Sequence, residues 1–280
     1  MKRLFLTGLI LLALGHVSTA TAQRSAIGIS FDGGLNTLVY SPLDGERNMG
    51  MGTGAGLYIA YYANKEFCIH FGLHYLSARA SATYNFTETS LGLTHPDNTG
   101  VSYDLTTTLD NWKERQTIRF LSVPVEFFWC VPLDRTKIFL LGLGTSVDLP
   151  TKGRYFAEEG TCTTMGYFPA TGHTVRNQPQ HGFGDFDADS ERKIKGLNVG
   201  MSLLADIGMR MALDNKMGLY VGLYAIYGLT DIVDVNSTQP LVTLNTNDAS
   251  RIVYNGTFAS KESDAMHLFC VGLKVGIEWW

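Results

Sequence analysis

The sequence lacks most of the features that would place it in a familiar functional class. After residue 22 no apolar run approaches the roughly 18 residues that a transmembrane helix needs. Only four cysteines, Cys68, Cys130, Cys162 and Cys270, are spread through 280 residues. They are too few and too scattered for a disulfide-stapled fold, and no Cys-x-x-Cys pair suggests zinc. Charged residues make up 17% of the chain and form no basic block. With Lys2 and Arg3 set aside, 20 basic residues stand against 26 acidic ones, which offers nucleic acid nothing to hold. No cofactor is expected. What is plentiful is glycine, with 30 residues, beside a hydrophobic content of 45%. Glycine is poorly tolerated inside helices and shows no collagen-like period here, so the composition leans toward β structure.

The N-terminus has the form of an export signal. Lys2 and Arg3 precede an apolar run from Leu4 to about Gly15, and the segment ends Ala20-Thr21-Ala22. A basic start, a short apolar core and small residues two apart suit a cleaved signal peptide over 1–22. The mature domain then covers 23–280.

Along that domain apolar and polar residues alternate with period two. Eight such segments are expected to be strands. Ile27, Ile29 and Phe31 oppose Gly28, Ser30 and Asp32; over 67–75, Phe67, Ile69, Phe71, Leu73 and Tyr75 oppose Cys68, His70, Gly72 and His74. The pattern recurs over 50–63, 115–131, 137–157, 194–211, 216–233 and 269–278. Connections at Asn64-Lys65, Pro132–Thr136 and Ala212–Asn215 are tight, whereas 37–49, 87–114, 158–193 and 234–264 are long. Short and long connections alternate, so all the turns fall at one end and all the loops at the other.

One face of each strand is bulky and apolar, and the other is mostly Gly, Ser and charged residues. A soluble barrel needs bulky residues inside, so this pattern is that of a barrel inverted for lipid. Lipid also forces closure, because an unpaired strand edge in hydrocarbon costs several kcal/mol per polar group. The expected fold is all-β: an eight-stranded antiparallel up-and-down transmembrane β-barrel with short periplasmic turns and long extracellular loops. Several strands exceed the roughly 9–11 residues needed to cross and should project on the loop side. Tyr61, Tyr62, Phe67, Phe127, Trp129, Phe139 and Trp279 are expected to form an aromatic girdle at the turn side. Tyr75, Phe120 and Tyr227 are expected to form the second girdle.

The strand Phe120-Leu121-Ser122-Val123-Pro124-Val125-Glu126 resembles a motif of the Bacteroidetes-type outer-membrane β-barrel domain proteins, which include PorT-like proteins. The ending Gly272-Leu273-Lys274-Val275-Gly276-Ile277, with aromatic Trp280 last, resembles outer-membrane barrels at large. The resemblance implies outer-membrane location and makes Trp280 a signal to the barrel assembly machinery. It also allows a partner in a secretion complex. On physical grounds, Pro124 cannot donate a ladder hydrogen bond and implies a bulge or a locally open pairing.

The inward faces carry the candidate chemistry. Asp32, Glu126, Asp148, Asp206 and Glu278 face Arg210 and Lys274 across the expected lumen, with His70 and His74 beside them. Buried charges must pair or be solvated, so this set is either a plug or the lining of a thin, weakly cation-preferring pore. The two histidines lie about 13 Å apart at strand rise, too far to share a metal. Either could enter a Ser-His-acid set with Ser122, Glu126 or Asp206, as in lipid-modifying barrels, although no local motif of such enzymes is present. Asp185, Asp187, Asp189 and Glu191 alternate as Ca²⁺ ligands could, but Ser190 stands where an EF-hand loop needs Gly and Gly196 where it needs Glu. Cys68 and Cys130 point inward near the turn end of neighbouring strands and could form a disulfide after export.

The function expected from these residues is non-enzymatic. It is an integral barrel in contact with outer-membrane lipid, whose large loops bind or scaffold an extracellular partner. Loop aromatics Tyr103, Trp112, Tyr155, Tyr167, Phe168, Phe183 and Tyr254 are candidate contact groups. The alternatives are a narrow pore and a secretion-complex component.

Overall fold

The computed structural model describes residues 25–94, 100–188, 190–233, 239–245, 251–263 and 265–280, without the side chains of Ser190 and Glu191. The expected signal peptide lies outside the described residues. Eight long strands form the wall: β1 (Ser25–Val39), β2 (Gly52–Tyr62), β3 (Phe67–Thr94) and β4 (Ser102–Pro132), then β5 (Lys137–Phe168), β6 (Gly200–Ala212), β7 (Met217–Gly228) and β8 (His267–Trp279). Each pairs antiparallel with the next, and β8 returns to β1 with Ile277 opposite Ile29. The ladder is closed, so the barrel wall has no free edge.

The three tight turns are set by their own side chains. Asn64 Oδ1 accepts from the backbone N–H of Glu66 and Phe67, Asp134 Oδ1 from Thr136 and Lys137, and Asp214 Oδ1 from Lys216. An Asx side chain that bonds its own backbone two residues on reverses the chain without help from packing. Trp280 closes this end, donating from Nε1 to the Asn215 carbonyl in the β6–β7 turn.

Around the lower half of the barrel the outward face is apolar and bare. Phe127 is 60% exposed and Leu273 62%, joined by Phe31, Leu57, Phe67, Trp129, Leu143 and Leu223. The inward face at this level holds the small and charged residues, so the chain forms the inverted, membrane-spanning barrel expected from its sequence. Two aromatics depart from the expected girdles. Tyr62 turns into the lumen and hydrogen-bonds Glu278, and Phe120 is fully buried, because even-numbered positions of β4 point inward.

Two long connections are shorter and more ordered than expected. Segments 87–114 and 158–193 are largely strand, because β3, β4 and β5 run for 28, 31 and 32 residues. The wall therefore continues upward on one side of the barrel as a tower. The tower is widened by short strands Gly45–Met49 on β3 and His173–Val175, Asp185–Asp187 and Ser190–Lys193 on β5. The sixth strand begins at Gly200 rather than 194, since 194–199 turns to pack beside the tower base. Strand β7 ends at Gly228, and beyond it Val233 makes a single bridge to Leu197. Pro124 opens the β3–β4 ladder, whose pairing passes from Phe71–Val125 to His74–Ser122 without a register shift. A bulge does occur one step higher, between Arg119 and Phe120, where Thr151 is the extra residue of β5.

The tower encloses an apolar core. Trp112, Ile118, Phe120, Tyr84, Leu76 and Tyr155 converge from β3–β5, and the connection between β7 and β8 folds in from the open side with Val242, Tyr254 and Phe258. Gly256, at φ +79°, makes the bend that brings this segment in. A Cβ there would meet the Tyr155 ring at 2.6 Å.

Candidate functional site

The lumen brings the expected charges together. Lys274 donates to Asp206 at 2.9 Å and lies 3.7 Å from Glu126, while the Tyr220 hydroxyl donates to the other Asp206 oxygen at 3.1 Å. Toward the turns, Glu278 accepts from Arg210 at 3.1 Å, Tyr62 at 2.9 Å and Tyr58 at 3.1 Å. Arg210 also contacts the Tyr62 hydroxyl and lies over the rings of Tyr62 and Trp280. Asp148 accepts from Ser146 and Ser202. His74 Nε2 sits 2.6 Å from Asp32, and Gly54 makes that pair possible, since a Cβ there would lie 2.6 Å from both.

The two histidines have separate surroundings. His70 stacks on Tyr58, packs against Phe128 and lies 3.9 Å from Glu278. Among the described residues no serine hydroxyl hydrogen-bonds to either imidazole, so the structure does not assemble a Ser-His-acid set. Nor does any group of three His, Cys, Asp or Glu side chains converge as metal ligands among them. Asp185 and Asp187 lie on one face of a short strand, where Asp185 accepts from Thr163 at 2.7 Å. Asp189 and the Glu191 side chain fall outside the described residues.

The lumen is closed in layers. At its centre is a cavity of about 60 Å³ bordered by Asp32, His74, Ser122, Glu126, Asp206 and Lys274. That is room for roughly a few waters among polar walls. Below it Phe128, Leu140, Tyr220 and the two thiols Cys68 and Cys130 form an apolar ring, with a wider vestibule beneath it at Arg210 and Trp280. The two sulfurs lie 3.5 Å apart and both thiols are free, so the two cysteines that could have bridged are adjacent but unbridged. Above the cavity sits the tower core.

A second buried polar group went unread in the sequence. Glu114, on the inward face of β4, accepts from Tyr254 at 2.5 Å, from the Thr257 N–H at 2.9 Å and from Gln116 at 2.7 Å. It ties the inserted segment to the tower. Burial raises the Glu114 carboxyl above its ordinary pKa, against the lowering effect of those three donors. The signal was available, because the even-numbered inward positions continue without a break from Glu126 to Glu114 once 87–114 is read as strand. Of the seven loop aromatics, Tyr103, Trp112, Tyr155, Phe183 and Tyr254 are buried, Phe168 is half-buried, and only Tyr167 is exposed. The buried ones hold the tower together rather than offering contact groups.

No family model matches the chain, and no curated protein matches it. Among solved structures it is similar to Neisserial surface protein A, with TM-score 0.38 and 9% identity over 92% of this chain and 98% of that one. It is also similar to Ail, the attachment invasion locus protein of Yersinia pestis, at 0.28 and 10% over 91% and 99%. The translocator domain of autotransporter NalP from Neisseria meningitidis gives 0.25 and 11% over 99% and 96%. The fold rests on the chain's own closed ladder, and the PorT-like resemblance gains no support from these comparisons.

Proposed function

We propose that this chain is a non-enzymatic, non-conducting barrel of the outer membrane that raises a rigid, polar-faced tower as an extracellular binding scaffold. The observation that carries this reading is a change of polarity along single strands. On β4 the outward residues Trp129, Phe127, Val125, Val123 and Leu121 are apolar, and the next ones, Arg119, Thr117, Arg115 and Lys113, are polar. The inward face changes the opposite way, from Glu126 and Ser122 to Phe120, Ile118 and Trp112. A wall that is apolar outside below and apolar inside above spans lipid in one half and stands in water in the other. Even strand number and short turns support an orientation with both termini and the turns in the periplasm and the tower outside.

Closure of the lumen supports a scaffold over a pore. A conducting path would have to pass the apolar ring at Phe128 and Leu140, the Lys274–Asp206 pair and the tower core in series. The mature barrel, shown to be folded by heat-dependent gel migration, should therefore be silent in a planar bilayer. Steady conductance would overturn the closed reading. Orientation is tested by thiol labelling, which is clean because all four native cysteines are buried. On intact cells a membrane-impermeant maleimide should label Thr108→Cys at the tower face and label Asn64→Cys only after lysis. Labelling in the reverse order would show that the tower points inward.

A further inference from the structure

We propose that the outer surface of β3–β5, directly above the apolar belt, is a binding site for the phosphate groups of a phosphorylated lipid headgroup in the outer leaflet. Five cations ring one shallow concavity of about 320 Å³: Arg79 on β3, Arg115 and Arg119 on β4, and Lys152 and Arg154 on β5. The ladder explains their convergence. Ser77, Arg119 and Lys152 stand side by side in one outward row, and Arg79, Thr117 and Arg154 form the next. The Thr151 bulge keeps β5 in step, turning Lys152 outward beside Arg119 where an unbroken alternation from Leu149 would have turned it inward.

Two observations make this patch a site rather than a solvated face. The first is charge, since five of the cations in an acidic chain gather here. Arg115 is paired with Glu158, whereas Arg79, Arg119 and Lys152 have no carboxylate within ion-pair distance among the described residues. The second is height. The row directly below is Tyr75, Leu121 and Leu149, the last apolar outward row of these strands. Successive outward positions lie about 6.8 Å apart along a strand, so the first basic row falls within the headgroup layer, whose thickness is roughly 5–7 Å per leaflet, and the second stands just above it with side chains long enough to reach back. Strand spacing makes the patch about 10 Å wide, a span that can engage two phosphates on one headgroup. Guanidinium groups suit that task because their planar forks bind phosphate oxygens in pairs. The site lies on the outside of the wall and is independent of whatever partner the tower binds.

The test is lipid retention by the folded mature barrel in phosphatidylcholine nanodiscs. The discs carry a minor fraction of a bis-phosphorylated glucosamine lipid or of the same lipid with its phosphates removed. Native mass spectrometry after detergent extraction counts the lipids retained. The phosphorylated form should be favoured about tenfold or more, the scale expected when several basic residues face anionic headgroups. Raising the salt should reduce the preference, because exposed charges are screened. The preference should disappear in R79Q/R119Q/K152Q and persist in K65Q/R135Q/K216Q, which removes the same charge at the turn end. Equal loss in both triples, or no loss in the first, would overturn the site. Displacement of the lipid by millimolar inorganic phosphate would show a small-anion site and overturn the lipid assignment. If the first triple does not fold by gel migration, Arg119→Glu alone is read, and a salt-independent preference in the unaltered protein also counts against the proposal.

Discussion

The tower continues three of the lower barrel's eight strands, yet the two halves are stabilised in opposite ways. In the barrel, lipid covers the apolar face and the interior is held by charge pairs and tyrosine hydroxyls around Lys274 and Glu278. In the tower, water covers the outward face and an interior of aromatic and aliphatic side chains replaces the charge pairs. Apart from the bulge at Thr151, the strands keep their alternation from one half to the other, and what exchanges is the residue types on the inward and outward faces. Alternation therefore reports which face is apolar, and the solvent decides whether that face is the inside. The barrel's stability comes mainly from its closed backbone ladder, whose every bond must be kept in hydrocarbon. The tower has open sheet edges and depends on packing, above all on the segment inserted between β7 and β8.

That contrast can be broken most strongly by emptying the tower core. Trp112 is 1% exposed and lies against Tyr254 with ring centroids 5.0 Å apart. Trp112→Ala should cost about 3–5 kcal/mol within the tower. Limited proteolysis should then cut 239–263 rapidly while heat-dependent gel migration still reports a closed barrel. Loss of both together would show that the two halves fold as one unit and that the contrast is false.

The second test places the same charge on each half's outward face. Leu273→Arg puts a cation on the lipid side of β8 and should cost about 2–4 kcal/mol near the midplane. Thr108→Arg makes the corresponding change on the tower, opposite Thr87 and Thr163 and away from the basic rows, and should be nearly neutral, since surface substitutions usually stay within about 0.5 kcal/mol. Urea unfolding of both variants in the same bilayer measures the difference. Equal costs would mean that the belt does not end between Leu121 and Arg119.

Much of the lower half was legible because lipid imposes one rule on every strand there. From Phe31 to Ile277 the apolar positions mark the outside, and the strand count, turn positions and inward charges follow from that. The tower was less legible for a physical reason. Beyond Tyr75 and Leu121 the apolar residues move to the other parity, so a reading that keeps one face as outside sees the pattern dissolve into polar loop. Phe120 shows the failure in one residue, since its size suggested a girdle while its even position put it inside. The Thr151 bulge is a further obstacle, because one inserted residue reverses β5 and its marks, Pro150 beside it and Gly153 two residues on, do not say which way the parity shifts. Trp112 and Tyr254 looked like contact groups for the same reason, since nothing local to either residue announces that a distant segment folds over it. The lumen pairs were legible as a set but not as pairs. Which acid meets Lys274 depends on barrel stagger, and so does the approach of Cys68 to Cys130.

The smallest expected effect is a pH dependence confined to the tower. Glu114 is buried among Tyr254, Thr257 and Gln116, and burial raises its pKa in the folded state. In the unfolded chain the carboxyl titrates near about 4.3. A folded pKa above the unfolded one means that the native tower holds the proton more tightly. Its contribution to stability is fully present below the unfolded value and is lost as pH rises through the folded one. Protection of the Thr257 amide against hydrogen exchange, corrected for the intrinsic rate, should therefore fall as pH rises from the unfolded value through the higher folded one. Glu114→Gln keeps the size of the side chain but cannot ionise, so protection in that variant should be flat across the range. The barrel strands provide the control, because Val275 and its neighbours do not contact Glu114 and should show no difference between the two proteins. A decline that persisted in the Gln variant would assign the pH dependence to another group and leave Glu114 as a plain hydrogen-bonded tie between the inserted segment and the wall.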